Sequence, residues 1–491
     1  MTYKHGVYVT EVPTSILPPV RTTAGLPVVF GTAPIHMSAD GLGKVNEPVL
    51  CYTYAEAAQA LGFLDADATT GQFEFTLSEA VSAFFRVNAV APIVLVNVLD
   101  PADHRTVVTN ESRTFNADNE VTLSVAHPMP GTIVVTNTAG STTYVKGTDY
   151  EVTINSLGRG IITRLSGGAI ASSATVHVDY NALDASEVAA SDIVGGIDVG
   201  TGAKTGLELV ADIFPRFRLV PGQILAPKFS TDPAVALVMS AKAGNINGHF
   251  KAMALVDVPT GDVTVAADVP AWKNDNNYVE PNMIVCWPKG SLAGQQYHLS
   301  TLAAALCMRT DAVNEGVPYE SPSNKNIPIN AAVLEDGTEI VLDTLAAAAL
   351  NGEGIVTALN FIGGWVLWGN RTGAYPGSTD PKDTFIPIRR MFNWNTSSLV
   401  LSYWQKVDNP LNRRLIETVV DSENIRLNGL AARQFILGGR VEFREDENPT
   451  TDLIDGIVRF HQYFTPPAPA EQISWITEFD PEYVNTLFGG N

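Results

Sequence analysis

The sequence is poor in cysteine, histidine and positive charge, and each shortage removes a class of function. Three cysteines in 491 residues, Cys51, Cys286 and Cys307, stand far apart with no C-x-x-C pair. That argues against a disulfide framework and favours a reducing compartment. The eight histidines show no H-x-x-x-H or H-E-x-x-H spacing, so a metal site has no local support. His104, His127, His177, His249, His298 and His461 read as structural or surface residues. Lys and Arg total 31 against 52 Asp and Glu, a net charge of −21. Direct binding to nucleic acid needs clustered cations and is not expected. No apolar run is long enough to cross a bilayer, and the opening MTYKHGVYVTEVP has no signal-peptide core. The expectation is a protein made in the cytosol, with no membrane insertion.

Catalytic signatures are missing too. There is no G-x-S-x-G elbow. Residues 195–206 (GGIDVGTGAKTG) imitate a phosphate loop, but Lys204-Thr205 follows Ala203 instead of glycine, and no buried strand leads in. A flexible loop between domains accounts for them better. Carboxylates cluster from Arg444 to Asp455, including Asp446. They read as a solvated acidic turn, or an acidic contact for basic residues of another subunit, ahead of acid–base chemistry. No enzyme activity, cofactor or metal is expected.

What is present is a chain that is 45% hydrophobic and 17% charged, able to bury sizeable cores. Its organisation predicts an α/β (α+β) core domain carrying an inserted all-β sandwich or barrel, with an extended strand arm at each end. Residues 1–22 form the first arm: Val7, Tyr8, Val9 and Thr10 have strand composition, and Pro13, Pro18 and Pro19 then forbid helix. That strand has no local partner, so it pairs with a sheet of its own fold or of a neighbour. Residues 23–100 and 189–385 form the α/β core. Within them 92–99 reads as a strand buried on both faces, and Asp232-Pro233 opens a helix ending at Gly244. Residues 345–361 read as an alanine-rich helix broken near Gly352 and Gly354. Residues 101–188 are the inserted β domain, with strands at 120–125, 131–136, 142–145, 150–154, 160–165 and 175–180.

Residues 386–470 form an inner C-terminal domain. Asn409 is placed to cap a helix and Pro410 to occupy its first position, ahead of Leu411, Leu415, Val419, Leu427 and Leu430 at helical spacing. Arg413, Arg414 and Arg426 form a basic edge, either merely solvated or turned toward an acidic partner. Val458, Phe460 and Phe464 alternate as an acceptor strand, which ends at Pro466-Pro467-Ala468-Pro469. Residues 471–491 are a second arm, with Ile473, Trp475, Ile476 and Phe479 along a strand-like segment.

Several short motifs, in order, carry a family likeness. Gly6-Val7-Tyr8-Val9-Thr10-Glu11 precedes a proline-rich spacer. Pro322-Ser323-Asn324 is similar to a P-x-N pattern, and Leu350-Asn351 with Gly354-Ile355 to L-N-x-x-G-I. Trp368-Gly369-Asn370-Arg371-Thr372 is similar to W-G-x-R-T. Ile386-Pro387-Ile388-Arg389-Arg390 and Pro469-Ala470-Glu471 complete the series. With these the chain resembles the contractile-tail sheath proteins of myophage-type bacteriophages, of Mu-like or P2-like type, related to tailocin and type VI secretion sheaths. The resemblance implies a helical homo-oligomer, arms that add strands to neighbours, and a virion tail sheath assembled in the host cytoplasm. It implies partners in the tail tube, baseplate and tail terminator proteins, with Arg413, Arg414 and Arg426 facing the tube. A headless injection device is the nearest alternative. An adhesin built on the inserted domain and a cytosolic α/β enzyme are alternatives of other classes.

Overall fold

The computed structural model describes residues 25–39 and 43–488. The arm expected at Val7, Tyr8, Val9 and Thr10 lies outside the described residues.

Continuous runs of β-branched and aliphatic residues, too short for helices, build a nine-stranded mixed sheet. Its order is Lys325–Asn326, Trp365–Trp368, Ile355–Asn360, Met283–Cys286, Met253–Asp257, Gln223–Leu225, Pro27–Gly31, Ile93–Asn97 and Val49–Cys51. The middle six run parallel, Val49–Cys51 at one border and Trp365–Trp368 at the other run antiparallel to them, and Lys325–Asn326 pairs antiparallel with Trp365–Trp368. The strands from Ile93–Asn97 to Met283–Cys286 are buried at every residue, as a sheet covered on both faces requires. Helices Pro233–Gly244 and Leu299–Val313 pack on it. The first starts where its sequence signal places it: Ala234 N donates to the Asp232 carboxylate at 2.8 Å, with Pro233 in the first turn.

The 345–361 helix is a correction. Helix Thr344–Asn351 stops, and Ile355–Asn360 is a buried strand. Gly354 turns the chain at φ +71°, and a Cβ there would lie 2.4 Å from the Thr372 carbonyl oxygen. Burial of Ile355, Val356 and Leu359 in the sheet overrides the helical preference of the alanines before them.

Between the Ile93–Asn97 strand and Leu183 the chain builds two three-stranded antiparallel sheets. One has the order Arg105–Thr114, Thr175–Leu183, Val134–Asn137; the other Glu120–Thr122, Gly160–Arg164, Tyr150–Ile154. They enclose a hydrophobic core of their own, with Val135, Ile162, Val176 and Val178 fully buried. The 142–145 segment expected as a strand makes only the isolated Thr136–Thr143 bridge. Against the α/β core, this unit sets His127 edge-on to Phe75 at 5.0 Å and to His36 at 5.2 Å. The His127 Nε2 pairs with Glu74 at 2.8 Å.

The C-terminal part packs helix Ile386–Tyr403 against helix Arg413–Ala432 and the hairpin Gly438–Glu442/His461–Thr465, around a third core that includes Met391, Leu427, Leu430 and Phe464. One buried ion pair ties it to the α/β body. Arg390 grips Asp311 of helix Leu299–Val313 with both terminal nitrogens, one at 3.0 Å. Beside it, Asn393 Nδ2 donates to the Ala252 carbonyl at 3.2 Å.

Candidate assembly interface

Helix Arg413–Ala432 begins three residues later than the sequence signal indicates. Asn412 is the cap, accepting from Leu415 N at 2.9 Å, while Asn409 and Pro410 lie in the loop before it. Pro410 suits a first helical position, but the main chain enters helical geometry only after the extended Asn412. Val419, Leu427 and Leu430 face inward as their spacing requires, and Arg413 and Arg414 project from the first turn. Arg413 is 91% exposed and holds Glu417 at 2.7 Å. A cation in the first turn opposes the helix dipole, a cost that the Arg413–Glu417 pair offsets for Arg413.

Arg426 does not share that edge, which corrects the expected basic stripe. Its side chain is only 9% exposed and clasps Glu423, its Nε lying 3.0 and 2.9 Å from the two carboxylate oxygens. Asn395, Gln462 and Tyr403 close the network: Asn395 accepts from Arg426, and Gln462 Nε2 and Tyr403 OH donate to Glu423 at 2.9 and 3.2 Å. The guanidinium therefore serves to hold a buried carboxylate. Glu423 sits three residues ahead of Arg426, on the same helix face, and that spacing is the signal the basic-edge reading overlooked.

The acceptor strand is also shorter than expected. It begins at His461, leaving Val458 and Phe460 before it and Phe464 within it. Asn448 pulls the preceding chain into a loop, donating to the Arg459 carbonyl at 2.9 Å and accepting from Arg459 N at 2.7 Å. The carboxylates of this loop have intramolecular counter-ions, Arg444 on Asp446 and Arg459 on Asp452. Val458 and Phe460 instead line an apolar groove of about 900 Å³, together with Leu415 and Val419 of the helix and Val441 of the hairpin.

The hairpin has two borders, and they differ. Val441 stands opposite Gln462, and its N–H and C=O both bond to the Asn424 side chain, at 2.8 and 3.1 Å. The border of Gly438–Glu442 is thus already occupied at Val441. By the antiparallel alternation the main-chain groups of Gln462 and Phe464 point away from the hairpin, and among the described residues nothing bonds to them. Beyond Thr465 the chain from Pro466 to Asp480 has no regular secondary structure and no strand partner among the described residues. There Ile473, Trp475, Ile476 and Phe479 are each at least 74% exposed.

An open strand border and an unpaired apolar arm on one chain are the marks of a subunit built for assembly. No family profile matches the chain. It is 30% identical over 507 aligned residues to the tail sheath protein of Burkholderia phage BcepMu, spanning 100% of this chain and 99% of that one. This chain belongs to the contractile tail sheath family. A putative prophage major tail sheath protein of Pseudomonas aeruginosa is 28% identical, over 64% of this chain and 78% of its own length. The fold matches the sheath of the extracellular contractile injection system PVC in its contracted state, with TM-score 0.58, 15% identity, and 98% and 99% of the two chains covered. It also matches the contracted helical sheath of the anti-feeding prophage, with TM-score 0.54, 16% identity, and 98% and 100% covered. The role of this sheath protein is structural, within a contractile sheath.

Proposed function

We propose that this sheath protein polymerises helically around a phage tail tube and contracts to drive the tube through the host envelope for genome delivery. The observation that carries this is the pairing of an unpartnered apolar C-terminal arm with the open His461–Thr465 border. A strand laid along Gln462 and Phe464 gains about four main-chain hydrogen bonds, each worth a net ~0.5–1.5 kcal/mol. Buried Ile, Trp and Phe side chains add to that. Such a joint, spaced from the body by Pro466, Pro467 and Pro469, keeps neighbours tied while their bodies rotate. Contraction is then release from a kinetically trapped extended lattice into a more stable one, with no nucleotide consumed.

The chain divides, on this reading, into an N-terminal arm (1–22), an α/β core (23–100 with 189–385), an inserted β domain (101–188), an inner domain (386–470) and a C-terminal arm (471–491). Arg413 and Arg414 face an acidic tube surface, and the sheath ends meet baseplate and terminator proteins. The particle is a virion assembled in the host cytoplasm, and phage and prophage relatives favour it over a headless device.

Electron microscopy of purified protein is the test. The full chain should form long hollow tubes, and a variant lacking 471–491 should remain a folded monomer. Tubes that persist without those residues would refute arm exchange.

A further inference from the structure

Two of the short motifs, far apart in sequence, meet in space. Glu471 lies at the end of the proline spacer, and its carboxylate sits on Arg371 as a two-pronged pair. Arg371 Nε donates to Oε1 at 3.0 Å and a terminal nitrogen to Oε2 at 2.5 Å. The two halves are built differently. The guanidinium is fixed before Glu471 arrives: it stacks 3.7 Å from the Phe385 ring centre and 4.4 Å from that of Tyr375, and donates to Thr384 Oγ1 at 3.2 Å. Thr384 in turn donates to the Asp380 carbonyl at 3.1 Å, and the Arg371 main chain bridges to Phe385. Arg371 is thus a rigid socket in the α/β body, its side chain 14% exposed, while the Glu471 side chain is 45% exposed. The exposed apolar arm residues follow immediately.

We propose that Arg371 and Glu471 form a releasable clasp that sets the reach of the C-terminal arm. Closed, the clasp pins the arm's root to its own subunit, and the free segment starts at Gln472. Open, the free segment starts at Pro466, which adds six residues, or ~19 Å at the rise of a proline-rich extended chain. The half-exposed, charge-assisted pair is strong enough to be populated and weak enough to yield under load. The preformed socket lets it close again without reordering. An arm paired with a neighbour can thereby accommodate two subunit spacings without breaking its strand. This deepens the arm-exchange reading and rests on it.

The test separates the two. In the free subunit, where no exchange occurs, E471A should raise limited proteolysis at residues 470–475 roughly fivefold, the scale of a well-formed surface ion pair. R371Q should give a rise of the same size, and R371Q/E471A no further rise. No change in the single variants, or additive effects in the double variant, overturns the clasp. In assembled sheath, density maps of the extended and contracted lattices should show the clasp closed in one and open in the other. The same state in both overturns release. Loss of tubes on deleting 472–491 while E471A still assembles leaves arm exchange standing whatever becomes of the clasp.

Discussion

Arg390 and Asp311 illustrate how a buried ion pair joins two parts of this sheath protein. Both are almost wholly buried, and the carboxylate holds the Arg390 guanidinium firmly protonated. Removing one charge strands the other out of water, so R390M or D311N should lose ~3–5 kcal/mol in denaturant unfolding. A double substitution with well-packed apolar residues should cost far less. The arginines of helix Arg413–Ala432 divide along the same line. Charge reversal at the exposed Arg413 and Arg414 should leave subunit stability nearly unchanged and weaken assembly on the tube. R426A should instead destabilise the subunit, because Glu423 is left buried without its counter-ion. Comparing melting of the monomer with tube-dependent assembly for each variant checks both halves; unchanged tail formation with Arg413 and Arg414 reversed would sink the tube-facing assignment.

At the scale of elements, the contact between the α/β core and the two small sheets is acid-sensitive. His36 is buried with neither ring nitrogen bonded to a side chain, and burial and the nearby His127 push its pKa down to about 3, from 6.5. Glu74, on His127 Nε2, and Asp184, whose pKa His127 helps to lower, are carboxylates near the pair. The folded state therefore binds this proton less readily than the unfolded one. Its stability is intact above pH 6.5 and is lost progressively as pH falls toward 3, by ~1.4 kcal/mol per unit. The denaturation midpoint should drop on acidification from pH 7 to 4, and H36F should flatten that slope; an equal slope in H36F would show the effect lies elsewhere. What was legible in the sequence follows burial. The doubly buried Ile93–Asn97 strand and the Asp232-capped helix announce themselves through composition and capping chemistry. Strand Arg105–Thr114 does not, since it is exposed along most of its length and carries no alternation to read. The Ile355–Asn360 strand was hidden behind alanines, and the true cap at Asn412 behind a better-looking proline.

For the whole molecule, composition and pattern were enough for an α/β class, and ordered motifs for the family. The long-range pairings on which the proposed arm exchange rests were not legible. Asn424 closing one hairpin border and Glu471 meeting Arg371 join residues 17 and 100 positions apart, respectively. No local periodicity records such contacts. The Arg105–Thr114 and Thr175–Leu183 strands, described above as neighbours, have a mechanical meaning. Arg105 stands opposite Leu183, so the chain leaves the core and returns to it through one doorway. On the arm-exchange reading proposed above, a load passed between neighbours need not traverse the residues between those strands, and a variant lacking them should still form tubes.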